Sequence, residues 1–95
     1  PLGMSEIRRI VDLQIDALQS LLAARSVRII LTDGAKDALG QMGYDPEFGA
    51  RPLKRTIQRE VQNPLARMLL SGEVRSGQTV RLDRSSKGEW IWQIE

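Results

Sequence analysis

The sequence predicts an α+β domain in which four helices pack on one face of a small three-stranded mixed sheet. Three observations carry that prediction. Apolar residues recur at three- and four-residue steps over most of the chain, the mark of amphipathic helices. One short β-branched run, Val27 to Leu31, interrupts them. The closing stretch then switches to alternation, with Val80 and Leu82 followed by Trp90, Trp92 and Ile94.

The first helix is expected from Ile7 to Ala24, with Ile7, Ile10, Val11, Leu18, Leu21 and Leu22 on its apolar face. Leu13 and Ile15 widen that face, so this helix can touch something on two sides. Arg8, Arg9, Asp12, Asp16 and Gln19 fall on the wetter side. Val27 to Leu31, bounded by Ser26 and Thr32, reads as a strand. Thr32 is placed to cap a second helix whose first turn carries Asp33, favourable at the positive end of the dipole. Ala35, Ala38, Leu39 and Met42 mark its buried face, and Gly43 ends it as a helix-terminating glycine.

Tyr44 to Ala50 is a loop built from Asp-Pro, an aromatic and Gly-Ala. Pro52 suits the first position of a third helix, where its missing N–H is no loss. Leu53, Ile57 and Val61 form its inward stripe. Asn63-Pro64 predicts a break, with Asn63 capping a fourth helix that buries Leu65, Met68 and Leu69 and stops at Gly72. Two strands close the chain, Thr79 to Asp83 and Glu89 to Ile94, as an antiparallel hairpin. The first strand, returning through a helical crossover, can pair parallel to one of them.

Ninety-five residues fit one small domain. An apolar fraction of 41% against 27% charged places the chain among ordinary soluble globular sequences rather than disordered or membrane-spanning ones. No apolar run nears the roughly 20 residues a bilayer requires. Pro1-Leu2-Gly3-Met4 has neither a basic nor an apolar signal-peptide region and reads as a protease-cleavage scar of an expression vector, so residues 1–4 are set aside and the domain is expected over residues 5–95. Cysteine and histidine are both absent. That excludes disulfides, thiol nucleophiles, zinc sites and histidine-based acid–base schemes, and no metal-ligating set is expected. A net charge of +2 is modest for a dedicated nucleic-acid binder.

The stretch from Gly43 to Arg55 carries the chemistry. Its tight loop delivers Arg51 to the mouth of a helix, where unpaired N–H groups suit an anion. Arg51 adds a permanent, fork-shaped donor set matched to phosphate oxygens, and Gly49 and Ala50 leave the approach uncluttered. Spacing alone leaves a second reading open, a surface helix start with a solvated arginine. Lys54, Arg55, Arg59 and Arg67 crowd the same region, opposed only by Glu60; they are either a partner surface or a solvated helical face. Trp90 and Trp92 share one side of a strand, as core or as a stacking platform for nucleic acid. Tyr44 and Phe48 are expected to pin the loop onto the core. Asp45 and Glu47 lack a tuning partner for acid–base work.

Gly43 to Arg55, continued by Ile57-Gln58-Arg59-Glu60-Val61-Gln62-Asn63-Pro64-Leu65-Ala66, resembles the sensor-two region of Clp-family AAA+ unfoldases. The Gly-Ala-Arg-Pro-Leu core followed by Asn-Pro-Leu-Ala is most similar to the second ATPase module of ClpB-type disaggregases. The likeness is specific between Gly43 and Ala66 and loose in the closing hairpin. It implies an AAA+ lid, the small C-terminal subdomain that covers a nucleotide held by a large subdomain of the same polypeptide. Arg51 then corresponds to the sensor arginine that reaches the phosphates. Gly49 and Ala50 correspond to residues flanking the base and ribose, and Ile10 to an apolar contact with adenine. The same resemblance implies ATP or ADP as ligand, magnesium held by segments outside this chain, and a homohexameric ring with neighbouring-subunit contacts. It further implies a DnaK-type chaperone system and aggregated proteins as partners, in the cytoplasm or an organellar matrix. The chain itself has no Gly-x-x-x-x-Gly-Lys-[Ser/Thr] loop and no β-branched run ending in paired acids, so it is expected to hydrolyse nothing alone. Two other readings remain, a free-standing nucleic-acid module and a pure oligomerisation domain.

Overall fold

The computed structural model describes residues 3–95. Pro1 and Leu2, half of the expected vector scar, lie outside the described residues; Gly3 stands at the N-cap of the first helix. In chain order the elements are α1 (Met4–Ala23), β1 (Arg28–Leu31), α2 (Asp33–Met42), α3 (Leu53–Ile57), a π-helical turn (Gln58–Gln62), α4 (Asn63–Ser71), β2 (Thr79–Arg84) and β3 (Trp90–Ile94).

The sheet is mixed, in the order β1-β2-β3. β1 runs parallel to β2, with Ile29 beside Val80 and Leu31 beside Leu82. β3 returns antiparallel to β2, setting Ile94, Trp92 and Trp90 opposite Val80, Leu82 and Arg84. Period-two geometry therefore puts Ile29, Leu31, Val80, Leu82 and both tryptophans on one face. That face meets the helices. The core it builds with them includes Val11, Ile15, Leu18, Leu22, Leu39, Leu53, Ile57, Val61 and Leu65, all buried. Trp90 and Trp92 pack against this core at partial burial, so the tryptophan pair is a cover for the sheet and not an open stacking platform.

The inward stripe of α1 is Ile7, Val11, Ile15, Leu18 and Leu22, with Ile10 half-buried beside it. Leu21 departs from the expected face. It is 66% exposed, because the 100° step per residue carries it past the stripe that Leu18 and Leu22 complete. Three of the polar positions on α1 also have tertiary partners. Arg8 donates twice to Asp37 Oδ1, at 2.6 and 3.1 Å, and Lys36 meets Asp12 at 2.8 Å, fastening α1 to α2. Asp37, foremost through its hydrogen bond, holds the Arg8 guanidinium above its already high ordinary range. Gln19 spans to the sheet: its amide N–H donates to Val27 O at 3.0 Å and its oxygen accepts from Ile29 N at 2.8 Å. Both bonds lie at the start of β1, where the edge strand has no neighbour on that side to take them.

Thr32 caps α2 as expected, its hydroxyl accepting from Ala35 N at 3.2 Å. Ala35 and Leu39 are buried, whereas Met42 is exposed at the last turn. Gly43 ends α2 for a steric reason and not by a left-handed backbone. Its φ is −95°, and a β-carbon there would stand 2.5 Å from Leu53 Cδ1 and 2.7 Å from Leu53 Cα. The end of α2 and the start of α3 touch backbone to backbone at this point.

The expected break at Asn63-Pro64 is absent, so the four predicted helices form three helical bodies. Residues 53–71 run continuously, with Asn63 in right-handed helical conformation and not acting as a cap. The π-helical turn explains how. One extra residue in the turn before Pro64 widens the ladder, so that Asn63 N–H reaches Gln58 O five residues back. A wider turn eases the clash that a proline ring makes with the carbonyl four residues earlier. Pro52 likewise sits one position before its expected place, as the N-cap of α3. Gly72, at φ 83°, closes α4 in the left-handed conformation.

Candidate functional site

The loop between α2 and α3 is locked by its own backbone and one side chain. Asp45 and Gly49 exchange two backbone hydrogen bonds, at 2.8 and 2.6 Å, as an isolated antiparallel pair. Inside that ring Asp45 Oδ1 accepts from Glu47 N at 2.7 Å and Phe48 N at 3.1 Å, the arrangement of an Asx turn. Gly49 carries a φ of 64°, which an L side chain adopts only with strain, and nothing stands within 4 Å of where its β-carbon would be. Arg51 N–H then bonds Phe48 O at 3.3 Å and Leu53 N–H bonds Ala50 O at 3.0 Å, feeding the chain into α3. Thr56, a buried polar side chain, turns back to Pro52 O at 3.1 Å and anchors that first turn.

This scaffold presents Arg51 on the surface. Its guanidinium carbon lies 5.4 Å above the centre of the Phe48 ring. The two residues line an open groove of ≈ 590 Å³ together with Pro52, Lys54, Arg55 and Gln58. Three cations therefore face the groove and no carboxylate lines it. Among the described residues Arg51 has no ion-pair partner; Asp45 is engaged with the loop backbone, Glu60 with Arg59 and Trp90, and the exposed Glu47 carboxylate pairs with no cation. A groove with that lining favours a multiply charged anion with an apolar portion, since an aromatic face and the aliphatic stems of Lys54 and Arg55 stand beside the charges.

Of the sequence-expected site residues, Gly49, Ala50 and Arg51 follow one another in this loop, and Arg51 faces the groove. Ile10 is on α1, half-buried against the core, and is not part of the groove lining. Phe48 departs from expectation. Instead of pinning the loop onto the core it is half exposed, and its partner is Arg51. Of the cations expected to crowd this region, Lys54 and Arg55 line the groove with Arg51 while Arg59 and Arg67 do not, and Gln58 joins the lining one turn after Lys54.

A second polar cluster was not expected. Glu60, in the π-helical turn, accepts from Trp90 Nε1 at 3.0 Å and from Arg59 Nε at 3.0 Å. Arg84 lies 4.4 Å over the Trp90 ring. The Trp90 hydrogen bond first, then Arg59, hold the Glu60 carboxyl below its ordinary range. Alternation showed that Trp90 faces the helices; it carried no information about which helical residue would meet the indole N–H.

The family model for the C-terminal D2-small domain of ClpB protein matches residues 2–82. Proteins named Chaperone protein ClpB are similar throughout. The one from Rhodopirellula baltica is 52% identical over 83 residues, covering 87% of this chain and 9% of its own length. The Aquifex aeolicus protein is 48% identical over 92 residues, 97% of this chain and 9% of its own. The Rickettsia conorii protein is 45% identical over 86 residues, 90% of this chain and 10% of its own. The chain thus spans about a tenth of the length of the relatives it matches. With its three-stranded mixed sheet and helical layer, the chain belongs to the family of ClpB C-terminal D2-small domains.

Proposed function

We propose that this domain is the lid of the second ATP-binding module of a ring-forming ClpB-type ATPase, and that Arg51 is its phosphate-sensing cation. The observation that carries the reading is an exposed arginine with no carboxylate partner among the described residues, set on a groove beside Lys54 and Arg55. Such a group keeps its full charge for an incoming anion.

The fit to a nucleoside triphosphate is good on chemistry. Three cations match a polyphosphate chain, and the aromatic and aliphatic surface beside them tolerates an uncharged portion. The nucleotide supplies the high-energy phosphoanhydride, and a large subdomain of the same polypeptide supplies the phosphate loop and the magnesium ligands. This chain's share is to bind and orient. Arg51 reaches the terminal phosphates, Gly49 and Ala50 flank the base and ribose, and Ile10 offers an apolar contact to adenine. Because the loop is tied to α2 and α3, a pull on Arg51 moves the domain as a body, which neighbouring subunits of a homohexamer feel. Cooperation with a DnaK-type system on aggregated proteins, in the cytoplasm or an organellar matrix, completes the reading. No described helix is long and apolar enough to cross a membrane.

The test is Arg51→Ala in the longer ATPase that carries this domain. A charge-assisted hydrogen bond contributes about 1.5–3 kcal/mol, so nucleotide affinity, turnover or both fall by roughly 10- to 150-fold, with the domain's own melting unchanged. Unaltered ATP hydrolysis and disaggregation in that variant would overturn the assignment.

A further inference from the structure

Phe48 is a large aromatic side chain left 49% exposed on a loop, with no place in the core. Core packing does not account for it. What it does touch is Arg51, whose guanidinium carbon sits 5.4 Å above its ring. Both residues line the same groove. The loop fixes the pair from below: Phe48 N–H is held by Asp45 Oδ1 at 3.1 Å, Phe48 O receives Arg51 N–H at 3.3 Å, and the Asp45–Gly49 pair closes the turn that contains Phe48.

We infer that Phe48 is a positioning residue whose ring holds the Arg51 guanidinium over the groove while leaving its charge available. There are two ordinary ways to order an exposed arginine. A carboxylate partner fixes the side chain but spends its charge and its N–H edge on that partner. An aromatic face attracts the cation through the ring quadrupole and leaves the in-plane N–H groups pointing outward, free for another acceptor. Neither acid of the loop pairs with Arg51: Asp45 commits its Oδ1 to backbone N–H groups, and the exposed Glu47 carboxylate forms no ion pair among the described residues. Arg51 is thus ordered by a neutral surface. An unrestrained arginine has rotamer entropy to lose when it meets an anion, and one held against a ring has already lost part of it.

That the ordered guanidinium meets nucleotide phosphates rests on the function proposed above; that Phe48 orders it does not, and the experiment separates the two. In the 95-residue chain, NMR of the Arg51 side chain reads the stack directly. The Arg51 side-chain protons nearest the ring shift upfield, Phe48→Leu returns them to open-chain positions, and Phe48→Tyr retains the shift. In the longer ATPase, Phe48→Leu lowers kcat/KM for ATP about two- to five-fold, as an exposed cation–π contact implies, and Phe48→Tyr restores it. Side-chain resonances without upfield displacement in the unaltered chain would overturn the inference outright. So would a Phe48→Leu enzyme indistinguishable from the parent where Arg51→Ala is impaired. If Arg51→Ala is itself silent while the upfield shift is present, the function fails and the positioning stands.

Discussion

The hydroxyl of Thr32 donates to Asp83 Oδ1 at 2.7 Å while its oxygen accepts from Ala35 N at 3.2 Å. One side chain thereby caps α2 and ties it to the far end of β2, across 51 positions of sequence. Asp83 also accepts from Arg84 N at 2.7 Å. The Thr32 bond first, then the Arg84 amide, hold the Asp83 carboxyl below its ordinary range.

Thr32→Ala should cost about 1 kcal/mol as a lost cap, measured by urea denaturation of the chain. Thr32→Ser, which keeps the hydroxyl, should recover most of it. A result in which alanine and serine behave alike would remove the cap from the account.

Asp83 and Glu60 both have folded-state carboxyls shifted downward, so the sign of their pH dependence is the same. Their contribution is present above the unfolded value, near pH 4, and is lost as pH falls through the folded value. The melting temperature should therefore decline on acidification below about pH 4. In Asp83→Asn and Glu60→Gln that acid limb should be shallower, and thermal melts between pH 2 and 6 will read it.

Trp90→Phe removes the indole donor to Glu60 while leaving the aromatic surface under Arg84. A cost of about 1 kcal/mol is expected, smaller than for a fully buried charged pair because Glu60 is partly open to water. A double-mutant cycle with Glu60→Gln should give coupling of the same order; independent effects would dissolve the link between β3 and the π-helical turn.

Backbone positions should divide by cause. Gly43→Ala drives a β-carbon into Leu53 backbone and side chain, and a loss of about 2 kcal/mol or more is expected. Gly49→Ala meets empty space, so only its left-handed backbone is penalised, by about 1–2 kcal/mol. Ser26 is the mirror case, a non-glycine at φ 56°, and Ser26→Gly should stabilise by up to about 1 kcal/mol. Chemical denaturation of the three variants ranks them.

Gln19→Ala strands Val27 O and Ile29 N at the open side of β1. A loss of about 1–2 kcal/mol is expected, with faster amide exchange at Ile29. Unchanged exchange there would mean water replaces the side chain without cost.

These cases also mark how far the sequence could be read. The Thr32 cap, the parallel pairing of β1 and the inward stripe of Leu53, Ile57 and Val61 follow from local chemistry and periodicity, which report on one element at a time. So does the loop that presents Arg51. Asn63-Pro64 misled because proline's cost depends on the turn before it, and a π-helical turn leaves no periodic trace over five residues. Gln19 falls on the wetter side of its helix and Glu60 opposes a run of cations; neither position announces its partner, because Val27, Ile29 and Trp90 become neighbours only after the elements pack. Phe48 was assigned to the core on its apolarity alone, while its neighbour three residues on supplied the competing attraction.

β2 lies at the centre of the sheet, and its two partners come from before and after it in sequence: Arg28 pairs with Thr79, and Val80 with Ile94. During synthesis the β1–β2 ladder waits for residues 79–82 and the β2–β3 ladder for residues 90–94. The helices, whose bonds are local, can form earlier, and they must keep the apolar sides of β1, α1 and α2 from straying meanwhile. Assembly of the sheet is thus gated by its central strand, and an interruption just before residue 79 would release a helical intermediate with the apolar faces that meet Val80 and Leu82 uncovered.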